Sequence, residues 1–422
     1  MARLWRSRYT VPLVAFICSF SAVLYISFDF YARPLRTLAL NLDGDATSIP
    51  QSTDIAVPSV EINNEPPPPE EPAPRVLLVS AFFPVSQSKH SVDEYLDWLK
   101  RFLGTVTTDL YFFCPPELAS MIRSFRGNLP ITIDMSYNTP FHIPPLKPHA
   151  TRYKEMHQWD REKWRHSPEL YAVWNAKPYL LDYAVRNARA NGNIYDFAFW
   201  TDAGAIRDDN KFSAWPDGRR VKEVFEMAHK ESGTLKERLI FFPLWLMPDA
   251  KFKYWTEDMG PVDAEFSEGS FFGGMPASIT WFRRVFYTYH NHYLSEDKFV
   301  GKDQTLFNSI FLLFPARFFG VSLWDSSSPA HAGIPWNADT ALGTCGNTWY
   351  YYEWWLANKE TRDEMAEIWL TDAHMKSRGW KDFWKTSVRC REGDALGMQG
   401  ILKRQFGSGW VAPKRDVKMQ YV

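Results

Sequence analysis

Neither sign of charge is in excess in this sequence, which carries 48 lysine and arginine residues against 49 aspartate and glutamate residues. The formal net charge is −1. Attraction to nucleic acid or to an anionic membrane surface grows with an excess of basic residues. The composition therefore predicts no nucleic-acid partner. The sequence also contains no segment that repeats at a fixed period.

Cysteine is scarce, and the four cysteines are Cys18, Cys114, Cys345 and Cys390. Cys18 lies in an apolar N-terminal run, so three cysteines remain for the folded part. In an oxidising compartment these three allow one disulfide and one free thiol. Because Cys114 ends an apolar, strand-like segment, we expect it to be a buried thiol and Cys345 to pair with Cys390. The sequence has no Asn-x-Ser/Thr acceptor, so no N-glycan can mark its compartment.

One long uncharged run, Val11 to Phe28, follows Arg3, Arg6 and Arg8. A run of roughly 18 apolar residues is just long enough to cross a bilayer as a helix. A cleavable signal peptide is the competing interpretation, but bulky residues rather than small ones follow the run, which favours an uncleaved anchor. Arginines before the run place residues 1–10 in the cytosol, 11–28 in the membrane and the rest in the lumen. We therefore expect a single-pass type II membrane protein.

Proline is concentrated after this run, where residues 29–74 end in EPPPPEEPAP and show little hydrophobic periodicity. Proline fixes one backbone dihedral angle and removes a hydrogen-bond donor, so this segment predicts an extended stalk. Residues 75–422 are long enough for one large domain or two fused lobes.

Apolar strand patterns and amphipathic helix patterns alternate along the predicted lumenal part. Strands are predicted over residues 75–83, 108–114, 131–136, 197–200 and 238–244. Helices are predicted after a capping box at Ser91 and Glu94, over residues 117–126, and after Ser167 and Pro168. This alternation predicts an α/β fold, with a mostly parallel sheet and helices on both faces.

The segment YDFAFWTDAG ends a predicted strand and then delivers Asp202 and Gly204 into a turn. Ligands of such sheets bind at the carboxyl ends of the strands, where loops carry polar groups. Gly204 would let the backbone come close to a ligand. The simpler alternative is that Asp202 only caps the turn.

Two more segments combine glycine with polar residues ahead of apparent helices: EGSFFGG (268–274) and GKDQ (301–304). Together with WNAKPYLL (174–181) and WTDAG (200–204), they resemble the HtrL/YibB-type family of proposed glycosyltransferases, in the same order along the chain. The resemblance covers most of residues 75–325. It implies the nucleotide-diphospho-sugar transferase fold called GT-A, which binds a sugar nucleotide at its strand ends.

The resemblance also implies a divalent cation, Mn²⁺ or Mg²⁺, because such an ion stabilises the charge that develops on the departing pyrophosphate. Carboxylate oxygen suits these hard ions, which makes Asp202 a candidate ligand. The wider class usually carries Asp-x-Asp, whereas this chain has Trp200, Thr201 and Asp202, so one carboxylate is missing. His331 is a second candidate ligand, and its alternative is a purely structural histidine.

Other site residues follow from the same segments. Asp303 is the candidate general base toward an acceptor hydroxyl, and helix capping is the alternative for this residue. Lys177 lies on an apolar helix face, where it needs an anionic partner, either a protein carboxylate or a ligand phosphate. The donor is expected to contact Lys177, Trp200, Asp202 and Gly204, and Lys302 is expected to lie near a phosphate. The acceptor is expected to contact Glu268, Gly273, Gly274 and Gln304.

Taken together, the sequence predicts a glycosyltransferase of the Golgi or another secretory-pathway membrane. Its partners would be a nucleotide-sugar donor, a glycan or glycoconjugate acceptor, and the membrane through one helix. The incomplete carboxylate motif leaves open a non-catalytic protein of the same fold that binds glycans or acts as a scaffold. A glycoside hydrolase using Asp202 and Glu268 is the alternative from another class, and it would need no nucleotide.

Overall fold

A computed structural model describes residues 71–376 and 384–420 of the 422-residue chain. The predicted cytosolic tail, anchor and nearly all of the predicted stalk lie outside the described residues. Within the described ranges, no helix is both long enough and apolar enough to span a membrane. The described residues belong to one unit, Glu70–Val422.

An eight-stranded mixed sheet forms the centre of this α/β unit. Its strands are β1 (Val76–Ala81), β2 (Asp109–Phe113), β3 (Ile131–Asp134), β4 (Phe197–Thr201), β5 (Ile240–Leu244), β6 (Phe271–Gly274), β7 (Phe318–Ser322) and β8 (Leu396–Gly397). The strand order is β3-β2-β1-β4-β6-β5-β7-β8. Strands β6 and β8 run antiparallel to their neighbours, and the other pairings are parallel.

Helices connect most of the strands. They are α1 (Val92–Thr105), α2 (Ala119–Arg126), α3 (Ala150–Met156), α4 (Pro168–Ala190), α5 (Gly218–Ser232), α6 (Pro276–Ser295), α7 (Asp303–Leu313), α8 (Tyr351–Trp355), α9 (Lys359–Lys376) and α10 (Met398–Phe406). The predicted capping box is present at the start of α1, where Ser91 and Glu94 bond each other's backbone N–H groups. Helix α4 continues through Pro178.

Side chains of the sheet alternate between two hydrophobic cores, one on each face. Leu77 and Val79 of β1 pack into the first core, together with residues of α4, α6 and α7. Leu78 of β1 packs into the second core, with residues of α1, α5 and α8. This alternation follows from the two-residue period of a strand, and it confirms helices on both faces of the sheet.

The disulfide prediction is confirmed, since Cys345 is bonded to Cys390 and Cys114 is a buried free thiol. Strands β6, β7 and β8 were not predicted from the sequence, and Gly273 and Gly274 of β6 were expected to lie in a glycine-rich segment ahead of a helix. In the structure both glycines lie in β6, which inserts antiparallel between β4 and β5.

Candidate active site

The order in which successive strands are added to the sheet reverses between β1 and β4. From β1 the chain moves outward to β2, whereas β4 lies on the other side of β1 and leads toward β5. Parallel sheets leave a crevice at such a switch point, outside the carboxyl ends of the strands. Asp202 follows β4 directly, so it lies at this crevice.

Two backbone hydrogen bonds hold the turn that carries Asp202. The backbone N–H of Asp202 donates to the carbonyl of Ser270 at 2.8 Å, and the N–H of Ala205 donates to the carbonyl of Asp202 at 3.0 Å. A Cβ on Gly204 would lie 3.2 Å from the ring of Trp98 on α1. The absence of a side chain at Gly204 therefore lets α1 pack closely over this turn.

Lys177 joins two of the predicted site residues. Its ammonium group lies 3.1 Å from Asp202 Oδ1 and 3.0 Å from Asp303 Oδ2, and it donates a 2.8 Å hydrogen bond to the carbonyl of Gly269. The Lys177 and Asp303 side chains are 3% and 5% exposed, whereas that of Asp202 is 37% exposed. Asp202 therefore presents the solvent-facing side of a cluster that is otherwise buried. We call Lys177, Asp202 and Asp303 the charged cluster.

Trp200 also forms a hydrogen bond with Asp202. Its indole N–H donates to Asp202 Oδ1 at 2.7 Å, while its ring packs into the core beside α4. Asp202 Oδ1 thus has two donors, and Oδ2 has the Lys177 ammonium at 3.4 Å. Three predicted donor-side residues, Lys177, Trp200 and Asp202, are therefore brought together.

Burial and the attraction between Lys177 and the two carboxylates have opposite effects on the pKa values in this cluster. Burial alone disfavours the charged form of Lys177, but attraction to Asp202 and Asp303 outweighs it, so the pKa of Lys177 is raised. The pKa of Asp303 is raised to about 6, because burial disfavours its charge more strongly than Lys177 favours it. The charge of Asp202 adds to this rise in the pKa of Asp303.

Asp303 is the first residue of α7, and Lys302 is the N-cap. Asp303 Oδ1 accepts from the backbone N–H of Gln304 at 2.9 Å. The capping interpretation of Asp303 is thus replaced by a first-turn position, in which a carboxylate is favoured by the helix dipole. The amide of Gln304 donates to the carbonyl of Ser267 at 2.6 Å, and Lys302 pairs with Glu162 rather than with the cluster.

Glu268 directly precedes Gly269, whose carbonyl accepts a hydrogen bond from Lys177 of the charged cluster. It is 3% exposed, and its Oε2 atom has no hydrogen-bond partner among the described residues. Burial, reinforced by the charge of Glu353, raises the pKa of Glu268 well above its ordinary value. An unpartnered buried carboxyl group is costly, so this residue has a role that packing does not explain.

Gly273 and Gly274 do not accompany Glu268. Gly274 pairs with Ala198 and Gly273 with Phe199, which places both toward the amino-terminal end of β4. A Cβ on Gly273 would lie 2.7 Å from the Cα of Phe199, and one on Gly274 would lie 2.7 Å from the carbonyl oxygen of Leu239. Sheet packing therefore accounts for both glycines.

His331 lies in the chain that follows β7, and its Nδ1 atom is 2.9 Å from the carbonyl oxygen of Ala341. One group of three potential metal ligands occurs within residues 71–376 and 384–420, and it contains neither His331 nor Asp202. This group is Asp160, Glu162 and His166, whose ligand atoms lie within 4.8 Å of one another. These three residues were not predicted from the sequence. Its members already bond protein groups, since His166 contacts Asp160 at 2.7 Å and Glu162 pairs with Arg165 and Lys302.

A cavity of about 380 Å³ opens beside the charged cluster. Its polar lining includes Lys177, Asp202 and Arg207, and its apolar lining is rich in aromatic rings. The rings are those of Phe82, Phe83, Tyr95, Trp174, Trp200 and Tyr350. Cavities of this size that combine apolar walls with a few charged groups are typical small-molecule sites.

Arg207, Tyr350 and Glu353 belong to this region and were missed from sequence. Arg207 lies five residues after Asp202, and its guanidinium packs 4.1 Å from the ring centroid of Trp98. Glu353 is 7% exposed and its Oε1 has no partner within the described residues. Its position inside TWYYYEWWL, as one charge among apolar residues, was the available signal.

Comparisons with known proteins give no family for this chain. No protein-family model and no curated protein matches the sequence. One solved structure that matches is mouse xyloside xylosyltransferase 1 in its apo form, with 11% identity, a TM-score of 0.35, and coverage of 59% of this chain and 86% of that one. Another is the CMP:2-keto-3-deoxy-manno-octonic acid synthetase with CTP, with 7% identity, a TM-score of 0.25, and coverage of 58% and 90%. Both scores lie below 0.5, so neither likeness decides the function.

Proposed function

We propose that this protein is a glycosyltransferase that moves a sugar from a nucleotide-sugar donor to a glycan or glycoconjugate acceptor. The observation that carries this proposal is the charged cluster, which lies at the carboxyl ends of the strands and borders an aromatic cavity. The GT-A type of sheet and the membership of the HtrL/YibB-type family are part of the proposal.

The cavity suits the nucleotide of the donor in its chemistry. Aromatic walls can stack on a base, while Arg207 supplies a cation for the diphosphate. Lys177 is buried between two carboxylates, so its main task is to hold Asp202 and Asp303 in place. Trp200 donates a hydrogen bond to one oxygen of Asp202, and Gly204 lines the cavity.

A divalent cation, Mn²⁺ or Mg²⁺, fits the carboxylates present. Asp202 and Asp303 bring two carboxyl groups to one ammonium group, and the Asp202 side chain lines the cavity and is 37% exposed. We propose Asp202 as the protein ligand of such an ion, with His331 as a second ligand. When bound, the ion would stabilise negative charge on the departing diphosphate.

Asp303 is proposed as the general base toward the acceptor hydroxyl. A pKa of about 6 leaves it mostly ionised at neutral pH and basic enough to accept a proton. Glu268 and Gln304 are proposed to contact the acceptor. We further propose that the protein acts as a single-pass type II protein of the Golgi or another secretory-pathway membrane, on the basis of its N-terminal sequence.

The proposal is tested by calorimetric titration of the full-length protein with UDP and GDP, each with and without Mn²⁺. We expect metal-dependent binding of one nucleotide that Asp202→Ala removes. The matched control is Asp209→Ala, because Asp209 lies in the same loop with a fully exposed side chain. Unchanged metal-dependent binding by Asp202→Ala would reduce Asp202 to a turn residue, and binding of neither nucleotide would refute the donor site.

The alternatives give different results in a second assay. A non-catalytic member of the fold would bind nucleotide or glycan but release no sugar from any of a panel of nucleotide sugars. A glycoside hydrolase would cleave aryl glycosides without any nucleotide, and it would lose this activity in both Asp202→Asn and Glu268→Gln.

A further inference from the structure

Three of the buried side-chain atoms that have no hydrogen-bond partner within residues 71–376 and 384–420 belong to the region beyond the charged cluster. They are Glu268 Oε2, Glu353 Oε1 and Trp324 Nε1. Glu268 and Glu353 are 3% and 7% exposed, so both carboxyl groups are removed from water. Leaving such groups unpaired costs free energy in the absence of a ligand. A ligand hydroxyl group can donate a hydrogen bond to a carboxyl oxygen and accept one from an indole N–H.

Glu268 and Trp324 lie beside the carboxyl ends of two neighbouring strands. The backbone N–H of Glu268 donates to the carbonyl of Pro243 in β5, and that of Trp245, just after β5, donates to the carbonyl of Phe266. Glu268 therefore lies beside the carboxyl end of β5. Trp324 follows β7, whose carboxyl end adjoins that of β5.

Tyr350 connects this edge to the donor cavity. It lines the aromatic cavity and also a small cavity of about 30 Å³ that Glu353 and Arg207 line. Burial is the main cause of its raised pKa, Arg207 opposes the rise, and Glu353, Asp202 and Glu268 add to it. All four charged groups are thus close enough to act on the Tyr350 hydroxyl.

Three half-buried indoles, Trp245, Trp324 and Trp349, form a cluster at the same edge. The ring centroids of Trp245 and Trp324 are 6.0 Å apart, and those of Trp245 and Trp349 are 5.1 Å apart. Trp349 directly precedes Tyr350 in the chain. We call these three residues the tryptophan cluster. Large aromatic faces next to polar groups suit ligands that have both apolar and polar surfaces.

The chemistry of these groups favours a neutral ligand over a cation. Burial raises the pKa of Glu268 and that of Glu353 well above the ordinary value, and each is raised further by a neighbouring carboxylate. Carboxyl groups that hold a proton attract a cation weakly, but they still accept hydrogen bonds and can donate one. A sugar ring offers several hydroxyl groups together with apolar C–H faces for the indoles.

We propose that Glu268, Glu353 and the tryptophan cluster form the acceptor subsite, and that it binds an uncharged sugar ring through its hydroxyl groups. This inference rests on the proposed transferase function, because it assigns the acceptor side of the same site. In this arrangement the acceptor binds on the side of Asp202 that faces β5 and β7. The nucleotide cavity lies on the other side of Asp202, next to β1.

The test is binding of a panel of neutral methyl glycosides to the full-length protein in the presence of the nucleotide that binds. We expect Glu353→Gln to weaken glycoside binding up to about tenfold, the upper end of the loss typical of one neutral hydrogen bond. Nucleotide binding should stay within a factor of about two, because Glu353 does not line the nucleotide cavity. Glu360→Gln, an exposed glutamate seven residues further on, is the matched control.

Trp349→Phe provides a second variant that keeps an aromatic ring and should also weaken glycoside binding with nucleotide binding intact. Equal glycoside binding by wild type, Glu353→Gln and Trp349→Phe would overturn the proposal, as would a wild type that binds nucleotide but no glycoside of the panel. Loss of Mn²⁺ or methylammonium binding in Glu353→Gln, with glycoside binding unchanged, would overturn it in favour of a cation site. If the wild type binds no nucleotide, the proposed function itself fails, which is a distinguishable result.

Discussion

Lys177 shows how one residue can connect the core of this protein to its site. Its stem lies in α4 among core residues, and its ammonium group reaches two carboxylates and a backbone carbonyl. A buried ion pair adds little net stability compared with apolar packing, but removal of one partner leaves an uncompensated charge. The geometry of Asp202 and Asp303 therefore depends on a residue whose side chain is almost fully buried.

Replacement of Lys177 by Met should destabilise the protein by about 3–5 kcal/mol, because it leaves Asp202 and Asp303 facing each other without a cation. Urea unfolding at pH 7.5 measures this loss. The double variant Lys177→Met/Asp303→Asn should recover part of it, since the second change removes one of the two like charges. A loss below about 1 kcal/mol in the single variant would show that water or a bound ion already compensates the carboxylates.

Asp303 gives the site a predicted pH dependence. A general base must be ionised before it can accept a proton. Because the pKa of Asp303 is about 6 in the folded protein, its active, ionised form predominates above that pH. We expect kcat/KM for sugar transfer to fall tenfold per pH unit below about 6 and to level off above it. Asp303→Asn should lose most of the activity at pH 7.5 and show no such limb. A wild-type profile that is flat between pH 5 and 7 would contradict the role as base.

Among the elements, β6 shows where sequence patterns mislead. Two adjacent glycines usually mark a loop, because glycine gains the most freedom in an unfolded chain. In β6 the two glycines are required because the backbones of β4 and of the residue before β5 occupy the space that a side chain would need. No local pattern carries that information, since it depends on strands that are 70 and 30 residues away in the chain. The helices, by contrast, were predicted well where caps such as Ser91 and Ser167 begin them.

Gly273→Ala should prevent folding or cost several kcal/mol, because the new Cβ would lie 2.7 Å from the Cα of Phe199 and closer still to the carbonyl oxygen of Ala198. Gly409→Ala is the control, since nothing lies within 4 Å of a Cβ at that position. Thermal unfolding and soluble yield compare the two variants. If both behave like wild type, strand β6 does not pack as described.

The disulfide between Cys345 and Cys390 closes a loop that lies between β7 and α10 in the chain. Cys345 and Cys390 are 45 residues apart, and cross-linking a loop of this length is worth about 4 kcal/mol of chain entropy. We expect the double variant Cys345→Ser/Cys390→Ser to lose about 2–4 kcal/mol of unfolding free energy. Cys114→Ser, at the buried thiol, is a control that breaks no cross-link. Equal stability of the double variant and wild type under oxidising conditions would show that the bond does not form.

At the scale of the whole molecule, the fold class was predictable and the site was only partly so. Alternating strand and helix patterns led to a largely parallel sheet with two faces, because hydrophobic periodicity records burial directly. The strand order was not predictable, since pairing between distant strands leaves no local signal. Lys177, Asp202 and Asp303 were identified as polar residues in costly or strand-end positions, and Lys177 was expected to pair with a carboxylate or a phosphate. Which of these groups meet depends on packing between distant segments, which the sequence does not record locally.

This architecture predicts how nucleotide binding should spread through the protein. The cavity is lined by Tyr95 and Leu96 of α1, which covers one face of the sheet, and by Leu170 and Trp174 of α4, which covers the other. A nucleotide at 100 times its Kd adds about 2.7 kcal/mol to the unfolding free energy. Because it contacts both layers, hydrogen exchange should slow in both Val92–Thr105 and Pro168–Ala190. Asp202→Ala at the same nucleotide concentration should show neither change, and protection confined to one helix in the wild type would place the nucleotide outside the crevice.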